Sequence, residues 1–319
     1  MGTDEMEQQS SAAQARRRRG RRDSERVTQP APPDPTVSLE PMAALSYPFS
    51  IRCDDGPLAA RLRALFGPLA RPTVRGATPA PDHDVHVYDV RRHAEGRVHL
   101  LLDGSELACV DNGVDAVAYL VWDVTQRAVR ATTDELLFHA GGVDVAGSGV
   151  LLPGPSGSGK STLVAALVRD GARCLSDELM AVRLEPPMLL PYPKPITLKS
   201  GSLALFDDLL GTDPPADSGW PGSEWPVGVE HVRAGGTATA VRPAAVVMPR
   251  YGAGLVTSVR AMAHSEAFLA LAVNTVNLDR HGESGLRLLA ELSGRCRCVV
   301  LEYSDVMEAC AALRNVLDA

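Results

Sequence analysis

The eight residues Gly154-Pro155-Ser156-Gly157-Ser158-Gly159-Lys160-Ser161 fit the pattern G-x-x-x-x-G-K-[ST] at every position. Glycines let a backbone turn until consecutive N–H groups face one anion. A lysine at the seventh place reaches the β- and γ-phosphates of a nucleotide, and the hydroxyl after it ligates magnesium. Lys160 and Ser161 fill those places. Thr162, counted with the cradle, continues the helix whose positive dipole end points at the phosphates. The chemistry implied is binding of ATP with magnesium.

Asp177 and Glu178 follow sixteen and seventeen residues after Ser161. A kinase needs one carboxylate on the metal and another near the attacking hydroxyl. One helix and a tight turn fill the intervening distance. A strand returning beside the phosphate-loop strand would bring both carboxylates to the metal and γ-phosphate.

The elements that must position these groups can be read from pattern. Val150-Leu151-Leu152 is a strand entering the loop, and Ser161–Asp170 a helix stopped at Gly171. Gly141–Val145 and Gly149–Pro153 flank a tight Ala146-Gly147-Ser148 turn, and Arg173–Ser176 and Leu179–Leu184 are strand-like. Further strands are expected at Val241–Met248, Leu255–Arg260 and Cys296–Tyr303, and helices at Ser265–Val276, Gly282–Leu292 and Val306–Leu317. Gly211–Gly236, with Trp220 and Trp225, is Pro- and Gly-rich and reads as a long irregular loop. Upstream, Tyr47–Cys53, Asp84–Val90, Val98–Leu102 and Glu106–Val110 read as strands, the last two joined at Asp103-Gly104. Leu58–Phe66 and Val114–Val129 read as helices. The resulting division is a disordered tail over 1–41, a small α+β domain over 42–131, and an α/β phosphate-loop domain over 132–319.

The stretch from His139 to Val182 resembles the catalytic domain of HPr kinase/phosphorylase. The resemblance rests on His139, Val143-Asp144-Val145, Gly147, Gly149-Val150-Leu151, the phosphate loop, Leu167-Val168, Gly171, Leu175, and Asp177 with Glu178. It implies a P-loop fold of the type shared with phosphoenolpyruvate carboxykinases. It also implies an ATP- and magnesium-dependent kinase acting on a serine-type hydroxyl of a peptide or protein. Under it Lys160 and Ser161 serve ATP and magnesium, Asp177 is the catalytic base, Glu178 is a metal-side carboxylate, and His139 lies near the transferred phosphate. The family's oligomers suggest a homo-oligomer. Two departures are visible. Glu178 stands where the family has a second Asp, and the later E-[LM]-R-G-x-G motif is replaced by Pro193-Lys194-Pro195-Ile196-Thr197-Leu198-Lys199-Ser200. In this the chain looks more like the diverged HPr-kinase-related proteins of peptide-modification and cell-surface gene clusters. A small-molecule kinase and a non-catalytic nucleotide sensor stay open as alternatives. Lys199, Arg242 and Arg250 are candidate phosphate or substrate contacts.

Bulk properties limit the partners. The net charge is −7, and seven Arg and seven acids cancel within the first forty residues, so the remaining chain carries it. An acidic body argues against nucleic acid as main partner. No apolar run approaches a membrane span, and no apolar stretch follows the N-terminal arginines as in a signal peptide. The six scattered cysteines form no CxxC pair and are expected as reduced core residues of a cytoplasmic protein.

Overall fold

Period-two alternation and two tight turns build the first sheet. A computed structural model describes residues 37–70, 85–93, 96–209 and 224–318. Most of the expected tail, with His83 and Trp220, lies outside the described residues. β1 (Val37–Ser38), β2 (Met42–Ala44), β3 (Tyr47–Cys53), β4 (His86–Arg92), β5 (Val98–Leu102) and β6 (Ser105–Val110) form one sheet in the order β1-β3-β4-β5-β6, with β2 also on β3. Folded structure therefore begins inside the expected tail: Val37 pairs with Cys53, and Leu39 is buried. The β5–β6 hairpin turns at Asp103-Gly104, both at positive φ.

α1 (Gly56–Phe66) crosses between the parallel strands β3 and β4, capped by Asp55 accepting from the Leu58 N–H at 2.8 Å. α2 (Gly113–Ala131) starts at the Asn112 cap and buries Val117, Leu120, Val124 and Ala128 against this sheet. Thr132–Asp134 then leads into β7 (Glu135–Val145). Pro35–Ala319 is one compact unit, and the first sheet's core takes in Leu137, Leu179, Ala181 and Tyr192 from beyond that link.

The second sheet adds β8 (Ser148–Pro153), β9 (Arg173–Ser176), β10 (Leu179–Arg183), β11 (Met188–Leu190), β14 (Pro243–Tyr251), β15 (Ser258–Ala261) and β16 (Arg297–Tyr303). Its order is β11-β10-β7-β8-β14-β16-β15, with β9 also on β7. The triplet β8, β14, β16 is parallel, and the flanking pairs are antiparallel. Val150, Leu152, Val247, Leu301 and Tyr303 face α3 (Lys160–Arg169) and α6 (Val306–Asp318). The alternate residues Leu151, Val246, Cys298 and Val300 face α4 (His264–Val273) and α5 (Leu278–Arg295). Helices on both faces explain why Val150-Leu151-Leu152 in β8 is apolar without alternation. The molecule is thus mixed α/β.

Three expectations need correction. The region 211–236 is not wholly irregular: β13 (Glu224–Val227) pairs with β12 (Ile196–Lys199), and a helical turn follows at Val229–Val232. Trp225 lies in β13 under the Arg61 guanidinium, 4.9 Å from the ring centroid. Secondly, the strand expected from Cys296 begins at Arg297: Cys296 caps the end of α5, and only Cys298 lies in β16. The third concerns the acidic pair and is described with the site. No helix among the described residues is long and apolar enough to cross a membrane.

Candidate functional site

β8 ends at Pro153, and the chain turns through Gly154–Gly159 into α3. Gly157 and Gly159 lie at φ 82° and 94°, where a Cβ is strained. At Gly159 there is also no room: a Cβ would stand 2.3 Å from the Tyr303 hydroxyl. That hydroxyl donates to the Gly159 carbonyl at 3.2 Å, and the Tyr251 N–H donates to the Ser158 carbonyl at 3.1 Å. The ends of β14 and β16 therefore brace the loop. No side chain caps α3 at Gly159, so its first-turn N–H groups stay available. The buried Ser158 hydroxyl has no hydrogen-bond partner in the protein. An uncapped helix start and an orphaned donor in one glycine-shaped loop fit a phosphate chain.

Lys160 is buried at 6% exposure. Its ammonium donates to the Gly154 carbonyl at 2.6 Å and the Pro155 carbonyl at 2.8 Å. His139 Nε2 lies 3.3 Å from Lys160 Nζ. Burial first, and then the Lys160 charge, lower the His139 pKa. A neutral ring with its proton on Nδ1 can accept from the ammonium at Nε2. Ser161 and Thr162 follow in the first turn of α3, both half-buried.

The acidic pair sits in the turn between β9 and β10, and both of those strands pair with β7. The expectation that their strand would lie directly beside β8 is corrected, because β7 stands between them. The separation still brings the groups together, since β7 is shared ground. Its Ala140 and Gly141 face Pro153 and Leu152 of β8. On its other side His139 faces Leu179, and the Ala140 N–H donates to the Glu178 carbonyl at 3.0 Å. Packing is close at this point: a Cβ on Gly142 would lie 2.3 Å from Met180 Sδ, so that flexible side chain would have to move aside.

Asp177 is 1% exposed; its Oδ2 is hydrogen-bonded, whereas its Oδ1 has an ion-pair partner but no aligned hydrogen bond. Oδ2 accepts from the Thr197 N–H at 2.9 Å, and Oδ1 lies 2.9 Å from Lys194 Nζ. Lys194, itself 1% exposed, also meets Glu178 Oε2 at 3.0 Å. Burial opposes charge on Lys194, but Asp177 and Glu178 outweigh it and hold its pKa above the ordinary value. Glu178 keeps half its side chain in solvent, and the Lys194 ammonium holds its carboxyl below the usual range.

Sequence reasoning flagged the Pro193–Ser200 stretch but did not single out Lys194. The available signal was a lysine between two prolines in an apolar neighbourhood, since lysine is almost never fully buried unless paired. Of the three basic candidates, Lys199 donates to the Ser156 hydroxyl at 3.3 Å, at the loop. Arg250 lies at the loop end of β14 and pairs with Glu302 at 3.6 Å. Arg242 lies at the opposite end. Its carbonyl accepts from Gly149 N at the start of β8, a strand length of about 20 Å from the loop.

No family model and no curated protein matches this sequence. Among solved structures, the Hpr(Ser) kinase/phosphatase from Coxiella burnetii aligns over 56% of this chain and 94% of its own, at 12% identity and a TM-score of 0.29. At that score the likeness carries no argument about this chain.

Proposed function

We propose that the chain is an ATP- and magnesium-dependent kinase that phosphorylates a serine-type hydroxyl on a peptide or protein. One observation carries the reading: Lys160 opens α3 at the end of β8, with His139 at 3.3 Å on the strand whose far side borders Asp177 and Glu178. A cradle for phosphates and a source of carboxylates thus share one strand. Phosphoryl transfer depends mainly on positioning and charge stabilisation, and these groups supply both.

The fit to nucleotide rests on the uncapped α3, the orphaned Ser158 hydroxyl and the buried Lys160. Residues Gly154 to Thr162 would hold the phosphates, with Lys160 leaving the loop carbonyls to meet them. Ser161 and Glu178 would hold magnesium. No group of three or more His, Cys, Asp or Glu forms a metal cage among the described residues. That suits magnesium, which keeps waters and phosphate oxygens among its ligands. Bound magnesium would neutralise charge on the phosphates. The neutral His139 beside Lys160 keeps a second positive charge from opposing the ammonium. The acceptor assignment comes from the resemblance read in sequence.

Calorimetry with Mg-ATP tests the reading. Wild type should bind, and Lys160→Ala should bind more weakly and lose transfer to serine-containing peptides. No binding at millimolar nucleotide would end the proposal. Efficient phosphorylation of free serine, with serine peptides ignored, would replace the acceptor class.

A further inference from the structure

Lys194 reaches the acidic pair from a segment whose backbone is fixed by Pro193 and Pro195. Its ammonium has three donors. Asp177 Oδ1 at 2.9 Å and Glu178 Oε2 at 3.0 Å flank it as ion partners, and it donates to the Pro195 carbonyl at 3.4 Å. At 1% exposure the group does not meet solvent. Lys194 therefore cannot touch a ligand without breaking its own contacts. Three residues further on, the Thr197 N–H takes the other oxygen of Asp177 at 2.9 Å. One short segment thus grips both oxygens of one carboxylate and one oxygen of the next.

We propose that Lys194 is a positioning residue of the transfer site. It fixes Asp177 as a buried strut and leaves Glu178 as the carboxylate presented to metal and acceptor. This rests on the kinase reading above and reverses the division of labour that the family resemblance implies, in which Asp177 faces the acceptor. The physical reason is access. Asp177 is 1% exposed, with Lys194 against one oxygen and the Thr197 N–H on the other, whereas Glu178 offers a half-exposed side chain within electrostatic reach of His139 and Lys160. A lysine between two carboxylates also cancels the repulsion that would splay an unshared pair.

The test uses the full chain and Mg-ATP, with water standing in for the acceptor hydroxyl: water attacks the γ-phosphorus, the bond to the bridging oxygen breaks, inorganic phosphate and ADP leave with the proton passing to solvent, and ADP release is followed. Lys194→Met should lower kcat by about 10²-fold, the order that a small misplacement of a reacting group costs. Its calorimetric Kd for Mg-ATP should stay near the wild-type value. Lys194→Arg should recover part of kcat. A lysine that only stabilised the fold would lower Tm and leave kcat per folded molecule intact, and that result overturns the proposal. So does a folded Lys194→Arg with no recovery.

Should Lys194→Met fail to fold, Asp177→Asn and the double variant Asp177→Asn/Lys194→Met decide. The double variant leaves no uncompensated charge buried with Asp177. If the two residues act as one strut, its kcat matches that of Asp177→Asn; a much larger loss shows independent roles and overturns the proposal. Wild-type protein that neither binds Mg-ATP nor turns it over sinks the kinase reading itself, and this proposal with it. Active wild type with an equally active Lys194→Met sinks only this one.

Discussion

Asp123 and Asp177 are both buried carboxylates held by a cation, yet their surroundings differ. On α2, Asp123 Oδ2 accepts from Arg127 Nε at 2.6 Å, one helical turn away, and from the Tyr88 hydroxyl at 2.7 Å. Tyr88 in turn meets the Tyr47 hydroxyl at 3.3 Å. Burial first, then the bonds to Tyr47 and Asp123, raise the Tyr88 phenol, so the network ends in groups that stay protonated. Asp177 has partners from a separate segment, and its network ends at the half-exposed Glu178, within electrostatic reach of His139 and Lys160. Burial of charge is common to both and does not mark a site. What marks the second is that it opens onto groups able to meet a ligand.

The most informative break would come from changing both aspartates alike. Asp177→Asn should lower kcat for ATP turnover by about 10²-fold with the Mg-ATP Kd nearly unchanged. Asp123→Asn should leave kcat alone and lower stability by about 1–3 kcal/mol, read as Tm, because Arg127 and Tyr88 lose their charged acceptor. A kcat defect in Asp123→Asn would join the two networks and end the contrast.

A smaller effect separates two glycines at similar φ. Gly159→Ala meets the Tyr303 hydroxyl and should weaken Mg-ATP binding by about tenfold, roughly 1.4 kcal/mol. Gly147 lies at φ 92° with open space around it. Gly147→Ala should therefore lose roughly 1–2 kcal/mol of stability through backbone strain alone and bind Mg-ATP like wild type. Equal affinities for the two variants would show that the Gly159 geometry is not used for binding.

Removing single hydroxyls should do less. Tyr303→Phe loses the bond to the Gly159 carbonyl, worth about 0.5–1.5 kcal/mol, and should weaken Mg-ATP binding a little. Tyr47→Phe should change Tm only. If Tyr303→Phe binds as wild type does, the brace from β16 is structural.

The smallest expected effect is a pH slope. The His139 pKa is lowered from 6.5 by burial and then by Lys160. Above pH 6.5 both folded and unfolded forms are neutral, and His139 contributes nothing to the pH dependence. Below it the unfolded chain takes up a proton that the folded site refuses, so stability falls as pH drops from 6.5 towards the lower folded value. His139→Gln should flatten the dependence of Tm on pH in that window. An unchanged slope would assign it to other groups.

How far the chain was legible depends on the range of the interaction. The hairpin at Asp103-Gly104 and the stop at Gly171 follow from backbone conformations that few residues adopt, and both occur where expected. Gly282 stands at φ 50° and ψ −121° between two helical segments of α5, so the longer segment begins beside it, where the helix start is expected. β12 and β13 were missed: they pair across residues 200–223, and no local pattern announces a partner that far away. Lys194 was missed for a related reason. Its type argues for solvent, and only the pair of carboxylates folded over it makes burial tolerable.

By itself the sequence determined the Gly154–Ser161 loop, its entering strand and its following helix. Each step there is dictated by neighbours within a few residues: glycine for the left-handed turns, an apolar run for a buried strand, and helical periodicity after it. The tertiary structure alone decided that β7 stands between the loop strand and the acidic pair, that Tyr303 closes on Gly159, and that Lys194 lies between Asp177 and Glu178. Strand order and buried ion pairing depend on which distant surfaces exclude water together, and that competition is settled by the whole chain.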